Sequence, residues 1–474
     1  MRNSNSSKAL TDILSLASGE MIGKIAGFLA FTYLARILTP DTYGEIELAL
    51  GILGLYAVLV DFGLGPIGAK TVAQKPESAH IIASQILGAR IIIALLCIPI
   101  MVLTAFLFAT NDNIKWLITI MSASLIFCAI NQKWLLQGLE NMKLVSVFQM
   151  LKMTSFLICT ISFVHIEYHA IRLAYIEIFS AALVATYFLF LQWKFVHSLR
   201  ISLELAPLLK LFGRAKFIAA SHLSWSLTQA APMIILAATV GTMQVAWFGA
   251  AYRITNAFVS FTVIYHFSMY PTISRRLSES QESFQRYTTP SLRITGWGGM
   301  FVAYTTTIYS SSICQFVFGQ TYTSSSPTLS ILIWIVPITL VSGHARWALV
   351  GAEKQQHLLT ANLTGCIVCC LCCIALAPRF GAYGAATAMV ISYLSIWAVA
   401  QYQSTKCVVK IPLQPLMLPT ITTCSLLIIG LLSSNDSVYI KPILMLIFIL
   451  VAYLLDKELR HDIPRLIRIK EDLN

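Results

Sequence analysis

The chain has 474 residues, of which 57% are Ala, Val, Ile, Leu, Met, Phe, Trp, Tyr or Cys and only 11% are charged, against roughly a quarter charged in an ordinary soluble domain. A mean hydropathy of +0.74 means more apolar surface than soluble cores of normal size can hide, which excludes a soluble enzyme. The net charge of +12 would suggest nucleic acid in a soluble chain; in a membrane protein it first marks the loops that meet anionic lipid, and no nucleic-acid partner is expected.

Met1 to Leu10 is polar, and the apolar run that follows is too long for a signal-peptide core, so no cleavable signal peptide is expected. Fourteen windows then have about the length needed to cross a bilayer: 13–35, 46–65, 86–109, 116–136, 144–163, 170–191, 217–239, 247–270, 291–313, 328–350, 358–377, 383–402, 416–433 and 440–455. The last is short unless it begins near Val438 with Lys441 reaching outward, so twelve or thirteen spans are alternatives. With the N-terminus inside, 22 of the 33 Lys and Arg residues fall on cytoplasmic segments, six on outer loops and five within spans. That asymmetry places both termini in the cytoplasm.

The longest loop, Gln192 to Lys216, carries five basic residues and divides the chain. A second basic loop holds Arg275, Arg276 and Arg286, and the tail holds Lys457, Arg460, Arg465, Arg468 and Lys470; both read as solvated faces near lipid headgroups. Cys366, Cys369, Cys370, Cys372 and Cys373 crowd one apolar run without flanking loops for a metal site, and read as packing residues. Weak internal symmetry relates Tyr43-Gly44 to Phe248-Gly249, and Gln137-Gly138-Leu139-Glu140 to Val350-Gly351-Ala352-Glu353. Six spans per half make the halves parallel repeats about the membrane normal. The expected fold is thus an all-α polytopic membrane protein with two six-helix bundles, 1–204 and 205–402, around a central cavity, plus two extra helices and a basic tail in 403–474.

Charge within a span costs roughly 2.5–3.5 kcal/mol at a helix centre on insertion scales, so each such residue is a functional candidate. The basic set is Lys24, Arg90, Lys133, Lys152 and Arg346, and the acidic set is Glu20, Asp61 and Glu177. Glu20 and Lys24 are spaced to pair along one helix face, which leaves four basic against two acidic. Arg90, Lys133 and Arg346 lie close enough to the inner surface to snorkel, whereas Lys24 and Lys152 sit roughly 16 Å and 12 Å deep at 1.5 Å per residue. Polar stripes accompany them: Gln149, Lys152 and Ser155; His222, Ser226 and Gln229; Arg253, Asn256 and Ser260. Such stripes form either helix contacts or a substrate surface. A basic set biased to the cytoplasmic side suits an anionic group entering from inside. Gly19 to Lys24 is one residue short of a phosphate loop and lacks the following Ser or Thr. The nine histidines show no metal-ligand spacing, and no loop is large enough to house a catalytic site.

The sequence resembles the polysaccharide exporters and Wzx-type O-antigen flippases of the multidrug/oligosaccharidyl-lipid/polysaccharide transporter superfamily. The residues that carry the likeness are Leu34 to Gly44 (LARILTPDTYG), Asp61 to Leu64 (DFGL), Gln137 to Lys143 (QGLENMK), Ala251 to Ile254 (AYRI), Gly351 to Lys354 (GAEK) and Phe380 to Ala386 (FGAYGAA). The resemblance implies an inner-membrane flippase, not an enzyme, that moves undecaprenyl-diphosphate-linked oligosaccharide from the cytoplasmic to the periplasmic leaflet by alternating access. Its implied partners are that lipid-linked oligosaccharide, membrane lipids and other polysaccharide assembly proteins. No cofactor is expected, with H+ or Na+ as the candidate coupling ion. Lys24, Arg90, Lys133, Lys152, Arg253 and Arg346 are then the expected cationic cavity, Glu20, Asp61 and Glu177 the candidates for ion coupling or structural pairing, and Gly23, Gly27 and Gly63 the expected bending points. A multidrug exporter of organic cations is the first alternative, which the basic excess opposes. A membrane glycan polymerase or ligase is the second.

Overall fold

In a computed structural model of the chain, the described residues are 2–108, 111–196, 200–432 and 440–462. They form α-helices joined by short turns: α1 (Arg2–Ile37), α2 (Pro40–Asp61), α3 (Leu64–Gln74), α4 (Ala79–Phe108), α5 (Asp112–Ser122), α6 (Ser124–Ile130), α7 (Lys133–Gly138), α8 (Met142–Phe163) and α9 (Arg172–Val196). Then follow α10 (Leu205–Thr239), α11 (Thr242–Glu279), α12 (Gln281–Ile308), α13 (Ser310–Phe318), α14 (Ser326–Leu332), α15 (Ile335–Gly351), α16 (Gln355–Cys407), α17 (Met417–Leu432) and α18 (Ile440–Leu455). Each of the fourteen expected windows falls on one of these helices or on a pair of short ones. Among the described residues, seven helical runs are long and apolar enough to cross a membrane, and α17 and α18 are shorter apolar helices. The chain is an all-α polytopic membrane protein. Residues 433–439, with the proposed early start at Val438, and the tail residues Arg465, Arg468 and Lys470 lie outside the described set.

The helix breaks have local causes. Between α2 and α3, Phe62 (φ 45°) and Gly63 (φ 67°) take the left-handed region, so the second window ends in a sharp corner at Gly63. The fourth window divides at Asn131 (ψ 112°), between α6 and α7. In α16, two arms meet at Gly381 (φ 57°, ψ −140°), three residues after Pro378. The internal repeat is structural as well: α7 and α15 both end on a glutamate in the left-handed region, Glu140 (φ 58°) and Glu353 (φ 57°). In each case the next N–H closes the helix end, Asn141 N–H donating to Leu136 O and Lys354 N–H to Leu349 O, both at 2.9 Å.

The helices cluster into two compact units, Met1–Gly249 and Ala250–Asn474. Helix α10, assigned from the sequence to the second bundle, packs on α2 in the first unit. The sequence division followed the long basic loop, whereas the contacts follow the apolar face of α10. In the first unit α1 lies along α8. A Cβ on Gly19 would sit 2.2 Å from Ser146 O, one on Gly23 2.6 Å from Gln149, and one on Gly27 3.4 Å from Met153 Sδ. Gly23 and Gly27 therefore serve close helix approach, not bending, and Gln149 faces α1. Gly44 of α2 similarly admits Thr242 O, 2.0 Å from where its Cβ would be, while Gly249 meets Glu47. In the second unit, Trp297 and Tyr304 of α12 pack with Phe448 of α18 and Leu426 of α17, tying the last two helices to α12.

Gly23→Ala should destabilise the protein by about 1–3 kcal/mol through overpacking of α1 on α8. A lowered thermal midpoint in detergent checks this, with Gly54→Ala, where nothing lies within 4 Å, expected to leave the midpoint unchanged.

Candidate functional site

The intramembrane charges of the first unit gather around the break at Asn131. Arg90 of α4, 5% exposed, donates to Asp61 at the end of α2 and to Asn131 O at 2.7 Å, a carbonyl freed by the break. The Asn131 side chain accepts from the Lys133 N–H at 3.0 Å, starting α7. Lys133 Nζ reaches Glu20 at 3.5 Å and lies over the Phe148 ring at 4.8 Å. Deeper on α8, Lys152 donates to Glu177 of α9 at 2.6 Å. Three of the expected cavity cations, Arg90, Lys133 and Lys152, are thus bound to the three expected carboxylates.

This pairing corrects the expected Glu20–Lys24 pair. Glu20 is held by Lys133, and Lys24, half-buried on α1, keeps only an electrostatic interaction with it. Spacing along α1 suggested a partner one turn away, but the α7 start brings a lysine closer. The basic excess is narrower than expected: Glu45 and Glu47 of α2 are 7% and 3% exposed, and Asn111 Nδ2 donates to Glu45 Oε1 at 2.9 Å. Within the expected windows of the first unit four carboxylates, Glu20, Glu47, Asp61 and Glu177, stand against five basic residues, Lys24, Arg90, Lys133, Lys152 and Arg172, with Glu45 one residue outside. Glu47 lies inside the second window, so a complete search of the windows finds it; the burial of Glu45 needs the structure. Gln132, beside the break, is 1% exposed and neither atom of its carboxamide has a hydrogen-bond partner among the described residues.

Arg253 on α11 and Arg346 on α15 belong to the second unit, both half-buried. That unit also holds Arg293, which lies inside the window 291–313 but is not in the intramembrane basic set. Arg293 is 8% exposed and is grasped by three carboxylates from the chain after α18: Glu458 and Asp462 accept from its guanidinium, and Asp456 Oδ1 lies 3.5 Å from Nε. Trp297 Nε1 donates to Asp456 Oδ2 at 2.8 Å. The start of the tail, expected to be a basic solvated face, is thus an acidic clamp on α12, with Lys457 and Arg460 turned outward. A second overlooked cluster joins Tyr265, His266, Ser291 and His344 of α11, α12 and α15. A tally of formal charge passes over these groups.

At the corner between α1 and α2, Glu167 accepts from Thr39 Oγ1 at 2.5 Å and Thr42 Oγ1 at 2.8 Å, and Asp41 accepts from Thr242 Oγ1 at 3.0 Å. The segment Leu38 to Gly44 therefore binds the α8–α9 turn and the start of α11. The two hydroxyls hold the Glu167 carboxyl below its usual range.

The profile of a family described as polysaccharide biosynthesis protein matches residues 9–277. A Shigella dysenteriae protein named as an O-antigen transporter is 21% identical over 370 residues, 77% of this chain and 91% of that protein. Among solved structures, the lipid II flippase MurJ in an inward closed conformation superimposes with a TM-score of 0.74 at 14% identity, covering 94% of this chain and 99% of that one. An inward-facing multidrug transporter of the same superfamily gives 0.65 at 13% identity, covering 83% of this chain and 97% of that one.

Two outcomes follow from this geometry. Lys152→Met leaves the Glu177 carboxylate buried alone and should cost about 3–5 kcal/mol, most of it recovered in Lys152→Met with Glu177→Leu; thermal unfolding of the single and double variants measures both. Because the folded value of Glu167 lies below the ordinary 4.5, its bonds stabilise the α1–α2 corner fully above that value and are lost as pH falls through the lowered one. Proteolysis of the α8–α9 turn should rise with acid in the wild type, and Glu167→Gln should remove that pH dependence.

Proposed function

The chain belongs to the polysaccharide biosynthesis protein family, and on that premise we propose that it is a flippase for undecaprenyl-diphosphate-linked oligosaccharide, carrying polysaccharide repeat units from the cytoplasmic to the periplasmic leaflet of the inner membrane. In this reading both termini are cytoplasmic, and two bundles alternate, the first including α10, which packs on α2. The observation that carries it is Lys24: the carboxylate one turn away on α1 forms its salt bridge with Lys133 at 3.5 Å, so the ammonium on α1 has no salt bridge of its own among the described residues and suits an anionic ligand. Arg253 and Arg346 extend the cationic set in the second unit. A diphosphate needs such donors, and the small loops leave the work to the spans. The relatives support the class of substrate: one is named for O-antigen and the other for lipid II. Arg90, Lys133 and Lys152 hold the first unit together through their carboxylates and position Lys24 indirectly.

A second reading, export of organic cations, is favoured by Glu45 and Glu47, two buried carboxylates on α2, and by the multidrug transporter likeness in fold. Lys24→Gln separates the two. Loss of one charge-assisted contact worth about 1.5–3 kcal/mol should lower surface polysaccharide about tenfold or more at normal protein level, with lipid-linked oligosaccharide accumulating in the inner leaflet. Unchanged surface polysaccharide, with altered susceptibility to organic cations, would favour export of cations instead.

A further inference from the structure

The turn between α8 and α9 reads His165-Ile166-Glu167-Tyr168-His169, and its two histidines sit in one small network of bonds to the backbone and to α1. A carbonyl only accepts, so the carbonyls fix where the hydrogens are. His165 Nε2 lies 3.0 Å from Ser162 O and therefore carries the hydrogen, which leaves Nδ1 of the neutral ring as a lone pair. That lone pair faces Tyr33 of α1, whose hydroxyl oxygen is 3.4 Å away. The Tyr33 hydrogen is committed elsewhere, donated to Val164 O at 2.9 Å. Two acceptors thus meet between α1 and the turn, and one added hydrogen would join them.

His169 is set the other way. The His165 backbone N–H donates to His169 Nδ1 at 3.3 Å, so Nδ1 is the lone pair and the ring hydrogen belongs on Nε2. A proton on Nδ1 turns that acceptor into a donor and breaks the bond. The two rings stand edge to face with centroids 6.4 Å apart, close enough for a charge on one to oppose a charge on the other. Loss of hydrating water, then the Arg172 guanidinium, then His165 hold His169 below the usual imidazole range, while the Phe163 backbone acts the other way. Arg172 Nη1 donates to the Phe163 carbonyl at 2.9 Å. The other charged groups about the turn are Glu167, bound to Thr39 and Thr42, Asp41 and Glu45 at the start of α2, and Arg36, one turn beyond Tyr33 on α1.

We propose that His165 and His169 form a two-step proton switch in the α8–α9 turn. The first proton binds His165 Nδ1 and is donated to the Tyr33 hydroxyl oxygen, tightening the turn on the end of α1. The second binds His169 Nδ1 and cuts the bond from the His165 N–H, loosening the turn from within. Both protons come from water and return to it. The order follows from the bonds: His165 gains one with its proton, whereas His169 loses one and must charge beside Arg172 and a charged His165. Because neutral His169 is the bonded form, its contribution is complete above the ordinary imidazole value and is lost as pH falls through the lowered one. The hold of Thr39 and Thr42 on Glu167 is separate, so the switch shows at the His165 amide and not in protease access. It sets by pH how firmly the helix that bears Lys24 is tethered at its end, and it does not rest on the flippase reading.

The test is an NMR pH titration of ring-15N-histidine protein in detergent micelles, read with hydrogen exchange of the His165 amide corrected for the intrinsic pH dependence of exchange. The two signals are identified by their loss in His165→Gln and His169→Gln. His165 should titrate about one pH unit or more above His169. Corrected exchange of the His165 amide should rise about tenfold as pH falls through the His169 midpoint, the loss of one hydrogen bond. His169→Gln, whose amide oxygen accepts without titrating, should keep that N–H protected at every pH, and His169→Ala should leave it open at every pH. Tyr33→Phe should lower the His165 midpoint, and Glu167→Gln should leave both steps in place. His169 titrating ahead of His165, a hydrogen on Nδ1 of neutral His169, or exchange that stays flat across the His169 midpoint overturns the proposal. An unmoved His165 midpoint in Tyr33→Phe overturns its first step.

Discussion

The interruption of the fourth span at Asn131 is the constraint on which the charges of the first unit depend. An unbroken helix would keep the Asn131 carbonyl in its own ladder and carry Lys133 away from α1. With the ladder open, that carbonyl receives Arg90 at 2.7 Å, the Asn131 side chain starts α7, and Lys133 reaches Glu20. Freed backbone groups inside a membrane persist only where protein satisfies them. Here the same groups that satisfy the backbone also fix the ion pairs, so Arg90–Asp61 and Lys133–Glu20 are two ends of one arrangement, and Lys24 is the cation left over from it.

Close helix approach supplies the second element. Gly19, Gly23 and Gly27 present a flat stripe to Ser146, Gln149 and Met153, which lets α1 lie along α8 where neither helix gains from a hydrophobic effect between them. At the α1–α2 corner, Gly44 performs the same service for Thr242, and the hydroxyls of Thr39 and Thr42 reach Glu167. In the second unit, apolar packing of Trp297, Tyr304 and Phe448 is joined by the Arg293 clamp, so the polar end of α18 and its apolar face are fixed to one helix. The two repeats share the backbone device at Glu140 and Glu353 but not the chemistry around it: ion pairs surround one, while aromatic and imidazole rings lie near the other.

Much of this was legible in the residues. Every expected window falls on a helix, because a stretch long enough to cross a bilayer and free of unneeded charge has few other stable states. The motifs at Leu38 to Gly44, Gln137 to Glu140 and Val350 to Glu353 mark real corners, since turns depend on residues near in sequence. The buried charges of the first unit were legible as residues and illegible as partners. Glu20 and Lys24 looked like a pair because helix periodicity is the only neighbour relation that a sequence displays. Arg293 went unremarked because the carboxylates that hold it are more than 160 positions away.

By itself, then, the sequence determined that this is an all-α membrane protein with charged groups committed to its interior, and it carried the marks of the family in its corners. Both follow from local rules: hydropathy over about twenty residues, and turn chemistry over four or five. Only the tertiary structure decided which charge is neutralised by which, that α10 packs with the first unit, that glycines of α1 serve packing, and that an imidazole nitrogen in the second unit is buried without a hydrogen-bond partner among the described residues. Each of these depends on atoms brought together across long stretches of chain, where electrostatics and packing act on distance in space and not on spacing in sequence.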